Sequence, residues 1–331
     1  MFATLAGNNT NKEILRRLVK NDRLGATMIF AGPDGVGKRL FALTLAKAAN
    51  CLNPPQGIVD SCDICPSCFR IDQGSHGDVV TVQADGPYIK VGQARELAEN
   101  IRYRPFEGRQ RFFIIDEADR LREEAANALL KTFEEPPPTS TLILITARPD
   151  ALLPTIRSRA QKIAFAPLSL TEMEAFIASN HPRPEGDQAL LARLSEGRVG
   201  RALSIDLADY RRDRRELIEL LELLASGENR YRLLKAGEYL GKHEREAFEK
   251  KLDLLARLLR DMVLLSSERS NNEIINFDEG ERLARLSSRI GWERLVTLVD
   301  RLNQLRLSLM ININRQIAME SLLQELVVAP S

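Results

Sequence analysis

Four cysteines are the side chains in this sequence best suited to hold a metal ion. Cys51, Cys62, Cys65 and Cys68 follow the spacing C-x10-C-x2-C-x2-C, and the other parts of the 331-residue chain contain no cysteine. Four thiolates at this spacing can close a tetrahedron around zinc with no position left for water, which makes the predicted site structural rather than catalytic. The alternative is a loop of reduced thiols. We expect the nearby His76 to be a surplus histidine exposed to solvent.

A glycine-rich loop indicates a second kind of chemistry. Gly32, Gly35, Gly37 and Lys38 fit the pattern GxxxxGK, in which backbone amides approach phosphates and the lysine reaches the terminal ones. The next residue of that pattern is a serine or threonine whose hydroxyl binds magnesium, but here it is Arg39, which offers only donors. Either the loop binds nucleotide weakly without turnover, or its glycines now serve packing between a strand and a helix. ATP and magnesium are therefore expected to bind weakly or not at all.

An acidic pair ends an apolar run downstream of this loop. The run Phe112–Ile115 leads to Asp116, a carboxylate suited to magnesium, and to Glu117, which could polarise water. In the alternative interpretation the two acids stabilise the start of the following helix, where the helix dipole favours negative charge. The sequence leaves both interpretations open.

The elements that must position these residues alternate between strand and helix in the first half of the chain. An apolar run from Ala26 precedes the glycine-rich loop, and a helical pattern follows it. Strands that alternate with helices indicate a parallel α/β sheet. Further strands are predicted over 78–82, 111–115 and 141–146, and helices over 92–101 and 122–134.

The second half of the chain has a helical pattern. Strand signals are almost absent beyond Tyr210, and Leu252, Leu255, Leu259 and Met262 recur on one helix face. These residues predict a helical bundle, preceded by a small helical domain that starts with a capped helix. The predicted domains are 1–165, with a zinc module at about 51–68, then 166–207, and then 208–331.

The charge balance and the apolar runs exclude several classes of protein. Lys and Arg number 47 against 46 Asp and Glu, a formal net charge of +1, so no global field attracts nucleic acid or a membrane. No apolar run approaches the ~20 residues that a membrane span requires, and the first residues lack the pattern of a secretory signal. The sequence therefore predicts a cytoplasmic protein that has no membrane partner.

Two further segments join these motifs and together indicate one family. Asn127–Pro138 reads NALLKTFEEPPP, and Leu153–Arg159 reads LPTIRSR. With the glycine-rich loop, the cysteines and the acidic strand end, they make the chain resemble the clamp-loader subunits of bacterial DNA polymerase III, in the AAA+ class, and most closely the delta prime subunits. Residues 314–323 are similar to the end of that family's collar domain, so the resemblance covers nearly the whole chain.

The resemblance implies an AAA+ nucleotide-binding-like domain with the zinc module, a small helical lid, and a helical collar that joins gamma or tau and delta subunits in a heteropentamer. Such a complex opens the sliding clamp and places it on primed DNA. The resemblance also implies that Arg159, in Ser158-Arg159-Ala160, enters the ATP site of the adjacent motor subunit as an arginine finger. The family's cysteine after that arginine is an alanine here. The alternative role for Arg159 is a surface or structural ion pair.

Departures from the family's motor subunits favour a stator, a subunit without its own ATPase, over an active ATPase of the gamma or tau kind. Arg39 is the first of these departures. After the fourth strand only Thr146 could serve as the polar sensor, and Arg201 is shifted by one position from the lid's sensor arginine. The loop lysine and the acidic pair support the active ATPase. A third hypothesis is a zinc-dependent nucleic-acid-binding protein. Phosphate binding would need a basic patch, which the cysteine segment lacks, and Arg70 lies just outside that segment.

Overall fold

The computed structural model describes two compact units. The first, here called the sheet unit, comprises residues 1–182 and 195–204, and the second, the helical unit, comprises residues 183–194 and the residues from 205 onward. The predicted division into three domains stays a prediction. The structure describes residues 1–24, 26–226, 230–267, 273–309 and 316–319, so residues 314, 315 and 320–323 of the collar-like segment lie outside the described residues.

A five-stranded parallel sheet forms the centre of the sheet unit. Its strands are β1 (Thr27–Ala31), β2 (Val79–Val82), β3 (Arg111–Ile115), β4 (Ser140–Thr146) and β5 (Gln161–Ala164). They lie in the order β2-β3-β4-β1-β5, and every pair is parallel. The predicted parallel α/β sheet is therefore confirmed.

Helices cover both faces of this sheet. In chain order the helices of the sheet unit are α1 (Asn9–Lys20), α2 (Lys38–Asn50), α3 (Pro66–Asp72), α4 (Val91–Asn100), α5 (Glu123–Glu134), α6 (Pro154–Arg157), α7 (Leu170–Asn180) and α9 (Val199–Ser204), whereas α8 (Glu185–Ser195), between the last two in the chain, belongs mainly to the helical unit. Alternate residues of β3 enter different cores: Phe112 and Ile114 join the cluster that contains Phe41 of α2, whereas Phe113 joins the cluster that contains Leu129 of α5. Two-sided burial explains the continuous apolar run of β3.

One strand was not predicted from the sequence. The edge strand β5 reads Gln161-Lys162-Ile163-Ala164, and only Ile163 is buried. An edge strand this short and polar has neither the apolar run of a central strand nor enough residues to show alternation.

The helical unit has a separate core. Besides α8 it contains α10 (Leu207–Ser226), α11 (Arg230–Gly241), α12 (Arg245–Ser266), α13 (Gly280–Ile290) and α14 (Trp292–Ser308). Leu252, Leu255, Leu259 and Met262 are all buried on α12, which confirms the predicted helix face. Within the residues described, no helix is long and apolar enough to cross a membrane.

Candidate functional site

The glycine-rich loop joins β1 to α2 at the carboxyl edge of the sheet. The N–H of Gly32 donates to the carbonyl of Thr146 at 3.2 Å, which fixes the start of the loop to β4. Gly35 and Gly37 have φ angles of 82° and 95°, in the left-handed region that favours glycine. A strand, a glycine-rich turn and a helix therefore follow one another in the order that a phosphate loop requires.

Lys38 is turned back into its own loop. Its side chain is only 6% exposed, and Nζ donates to the carbonyl oxygens of Gly32 at 2.5 Å and Pro33 at 2.9 Å. Burial lowers the pKa of Lys38, and the neighbouring carboxylate of Asp34, with Oδ1 3.5 Å from Nζ, opposes that shift. The ammonium group is therefore satisfied by oxygens of the loop itself.

Arg39 forms an ion pair with the acid at the end of β3. Its Nη1 lies 3.7 Å from Oδ2 of Asp116, and the Arg39 side chain is 49% exposed. Magnesium requires oxygen ligands, and in phosphate loops the residue at this position supplies a hydroxyl. Because a guanidinium provides only N–H donors and a positive charge, these residues do not fit a magnesium site of the usual kind.

The other polar residues near the end of β3 are bonded to one another. Thr146 Oγ1 donates to Asp119 Oδ1 at 2.8 Å and accepts from the N–H of Arg148 at 2.9 Å, while Arg148 also pairs with Asp119. Glu117 makes no capping hydrogen bond to the turn that follows it, and it pairs with Arg120 at 3.2 Å. The candidate sensor hydroxyl and the second acid are thus both engaged in local contacts.

Helix α9 lies directly on the glycine-rich loop. The N–H of Gly200 donates to the carbonyl of Gly35 at 2.8 Å, and a Cβ added at Gly200 would lie 3.1 Å from the Gly35 Cα. Arg201, the candidate sensor arginine, pairs with Glu196 at 2.9 Å. This arginine is therefore held by an acid of its own segment.

A cavity of about 440 Å³ opens beside these groups. This volume falls within the ~300–1,000 Å³ typical of small-molecule sites. Its lining combines charged residues with the apolar side chains of Leu40, Leu43, Ile145, Val199 and Leu203.

The four cysteines converge on one point, as their spacing predicts. Their Sγ atoms all lie within 4.8 Å of one another. Cys51 directly follows α2, Cys65 is the N-cap residue of α3, and Cys68 lies in the first turn of α3. Backbone N–H groups of Cys62, Cys65 and Cys68 point at cysteine sulfurs at 3.3–3.5 Å. Burial opposes ionisation of Cys65, but hydrogen bonds from the N–H groups of Cys68 and Leu52 lower its pKa to about 6.

This cluster fits a four-coordinate zinc ion. The donor set is four sulfurs, and thiolates at ~2.3 Å from one metal would need only a small contraction of the cluster. The loop around the cysteines is also bonded to other parts of the chain. Asp60 accepts from the N–H groups of Phe2 at 2.7 Å and Ala3 at 3.2 Å, and Asp63 pairs with Lys47 of α2 at 2.9 Å. These carboxylates were not singled out in the sequence, because their partners lie far away along the chain.

The expectation for His76 is wrong. Its residue exposure is 4%, Nδ1 accepts from the N–H of Asp78 at 3.1 Å, and Nε2 lies 3.2 Å from the hydroxyl of Ser67. Burial lowers the pKa of His76, although Glu107 and Asp78 oppose that shift. The neutral ring connects α3 of the cysteine module to the start of β2.

Arg159 lies between α6 and β5, at the edge of the sheet where the strands begin. Its Nε lies 3.0 Å from Oε1 of Glu134, and Nη1 donates to the carbonyl of Thr155 at 3.1 Å. The side chain is 43% exposed. The glycine-rich loop and Asp116 lie at the opposite edge, since parallel strands share one carboxyl edge. The structure thus brings the loop and Asp116 together and holds Arg159 apart from them.

Comparison with protein families identifies two matching regions. A family described as DNA polymerase III, delta subunit, matches residues 7–169. A family described as DNA polymerase III, delta subunit, C terminal, matches residues 209–327. The matched residues include the glycine-rich loop, the cysteine module, Asp116 and Arg159.

Individual relatives carry similar descriptions. DNA polymerase III subunit delta' of Bacillus subtilis (strain 168) is 35% identical over 213 residues, which are 64% of this chain and 63% of the relative. DNA polymerase III subunit tau of Escherichia coli (strain K12) is 34% identical over 211 residues, 62% of this chain and 32% of the relative. The chain thus spans less than two thirds of each of these relatives.

A solved structure also aligns with most of the chain. It is a DNA polymerase III gamma subunit-related protein of Thermotoga maritima, with a TM-score of 0.46 and 19% identity over 95% of this chain and 98% of that chain.

Proposed function

Because this chain belongs to the DNA polymerase III clamp-loader family, we propose that it acts as a delta prime-type subunit: a stator that supplies Arg159 to the ATP site of a neighbouring motor subunit. In this role it takes part in DNA replication in the cytoplasm. The assembled loader, with gamma or tau and delta subunits, places the sliding clamp on primed DNA.

The ion pair between Arg39 and Asp116, at 3.7 Å, is the observation that carries the stator assignment. Hydrolysis in phosphate-loop enzymes needs magnesium held by a loop hydroxyl and an acid at the end of a strand. In this chain the hydroxyl is replaced and the acid faces a guanidinium. Turnover at the chain's own loop therefore lacks the cation that would neutralise charge on the transferred phosphoryl group.

The position of Arg159 supports its action on another subunit. It lies at the opposite edge of the sheet from the chain's own loop, so it cannot reach that loop. Its partner Glu134 is 40% exposed, and exposed ion pairs are weak, at about 0–1 kcal/mol. A phosphate group from a neighbour can therefore replace Glu134 at little cost, which reconciles the ion pair with the finger role.

The proposal gives the other parts of the chain structural roles. Zinc held by Cys51, Cys62, Cys65 and Cys68 would stabilise the segment between α2 and β2, because four sulfur ligands leave no open coordination position. The helical unit would form the collar through which the other clamp-loader subunits bind.

The experiment is reconstitution of the loader with motor and delta subunits, clamp and primed DNA, using Arg159→Ala. We expect assembly on size-exclusion chromatography to be unchanged and turnover at the adjacent site to fall by roughly 10³-fold or more, so that DNA-stimulated ATPase drops. Arg157→Ala is the matched control, since Arg157 lies two residues before Arg159 and forms its own ion pair, with Asp150 at 2.9 Å. Normal ATPase with Arg159→Ala would overturn the finger assignment.

The second candidate is an active ATPase of the gamma or tau kind, favoured by the presence of Lys38 and Asp116 beside the cavity. ATPase of the isolated protein with magnesium separates the two candidates. The stator predicts no turnover, whereas hydrolysis that disappears in Lys38→Ala would assign the chain to the motor subunits.

A further inference from the structure

We propose that the glycine-rich loop binds a nucleoside polyphosphate without magnesium, and that the Arg39 guanidinium takes the place of the metal ion. This inference concerns the chain's own loop, and it stands whether or not Arg159 acts on a neighbour. It rests on the donors of the loop, the charge around Asp116 and the lining of the cavity.

Arg39 makes the site unfavourable for a metal–nucleotide complex. Its Nη1 lies 3.7 Å from Oδ2 of Asp116, so a cation that approached this carboxylate would meet the positive charge of the guanidinium. The same guanidinium presents several N–H donors in a planar fork that matches phosphate oxygens. Because the Arg39 guanidinium already lies beside Asp116, the phosphate need not bring its own cation.

The loop retains the donors that hold phosphate. Among the described residues, no acceptor is bonded to the backbone N–H groups of Gly35, Gly37 or Lys38. These groups precede and open the 13-residue helix α2, whose dipole favours an anion at this end. The Lys38 ammonium lies in the same loop, on carbonyl oxygens that a phosphate could replace.

The cavity beside the loop favours a nucleoside over a bare phosphate. Leu40 and Leu203 line it and remain 52% and 56% exposed, although both are large apolar residues. Leu43 and Val199 also line the cavity. A base or ribose placed there would remove these side chains from water, whereas inorganic phosphate or pyrophosphate would leave them exposed.

Equilibrium binding of fluorescent ADP and ATP to the full chain, in EDTA and in excess magnesium, tests this inference. We expect the unaltered protein to bind in EDTA and magnesium to weaken binding several-fold by capturing free nucleotide. Arg39→Thr restores the loop hydroxyl, so its preference should reverse and magnesium should strengthen binding. Arg39→Lys keeps the charge and should retain the preference for the metal-free nucleotide, and Lys38→Ala should lose binding in both buffers.

Three outcomes would overturn the inference. They are no binding in EDTA by protein with a native circular dichroism spectrum, binding by the unaltered protein that requires magnesium, and an Arg39→Thr variant with the same metal dependence as the unaltered chain. Competition by pyrophosphate as effective as by ADP would overturn the nucleoside part. None of these outcomes bears on Arg159, whose assignment depends on the ATPase of the assembled loader.

Discussion

At the scale of single residues, the buried carboxylate of Asp78 organises the loop before β3. Its Oδ1 accepts from the N–H of Phe106, and Oδ2 from those of Glu107 and Gly108, each at 2.8 Å. Nε of Arg111 lies 3.3 Å from Oδ1 of the same carboxylate. Burial alone would raise the pKa of Asp78, but these N–H donors and Arg111 hold it below its usual value.

Replacing this carboxylate should destabilise the sheet unit. We expect Asp78→Asn to lower the free energy of unfolding by about 2–4 kcal/mol, because an amide leaves a buried donor unmatched and removes the negative charge that faces Arg111. Urea unfolding at pH 7 measures the change. Asp22→Asn, at an exposed aspartate, is the control and should change little. Equal stability of the two variants would contradict the argument.

The stability difference between the unaltered protein and Asp78→Asn should also depend on pH. The folded-state pKa of Asp78 lies below the ordinary value of about 3.9. Its contribution is therefore fully present above about pH 4 and is lost as pH falls through the folded-state value. The stability difference between the unaltered protein and Asp78→Asn should shrink on acidification below pH 4, and a constant difference would argue against an ionised carboxylate.

Sequence reasoning located the residues of the candidate site but not their partners. The cysteine spacing and the GxxxxGK pattern are local signals, and the structure brings each set together. The ion pairs of Arg39 with Asp116 and of Arg159 with Glu134 join different elements. Such contacts depend on strand order, which one sequence does not specify.

At the scale of elements, the cysteine module connects α2, α3 and the first residues of the chain. Asp60 binds the N–H groups of Phe2 and Ala3, and its Oδ2 also lies 3.2 Å from Arg16 of α1. Lys47 of α2 pairs with Asp63 inside the cysteine loop. If the cysteines hold a metal, its removal should therefore destabilise α1 and α2 as well as the loop itself.

Removing two ligands tests this connection. We expect the double variant Cys65→Ser, Cys68→Ser to release the metal and to lower the melting temperature of the sheet unit, since metal binding and folding are coupled. Metal analysis and thermal denaturation are the measurements, and Ser75→Ala at an exposed position is the control. Absence of zinc from the unaltered protein would refute the zinc assignment, and an unchanged melting temperature would refute the structural role.

Strong periodicity decided which elements could be predicted. The strand β3 begins and ends at the predicted residues, and α4 and α5 differ from their predicted bounds by one residue at each affected end. β5 escaped prediction because one buried residue, Ile163, is all that its sequence shows of the core. The contact of Gly200 with Gly35 was equally hidden, since nothing in GRVGR indicates that its second glycine meets the loop.

At the scale of the whole molecule, the chain builds its stability from separate cores. One cluster contains Leu255, Leu258 and Leu286 of the helical unit, and two others contain the residues on the two faces of the sheet. The helical core consists almost entirely of leucine, isoleucine and methionine. Since each unit buries its own apolar side chains, each has its own source of stability.

A cavity in one core should therefore weaken one unit. Leu258 is fully buried on α12, and we expect Leu258→Ala to destabilise the helical unit by about 2–5 kcal/mol through lost burial and the cavity left behind. Hydrogen exchange should then rise in peptides from α10, α12 and α13, while β1, β3 and β4 keep their protection. Leu307→Ala, at a leucine that is 67% exposed, makes the same chemical change without a cavity and should leave both units protected. Equal loss of protection in the sheet strands would mean that the two cores unfold together, because only a shared cooperative transition could carry the effect of one helical cavity to β3.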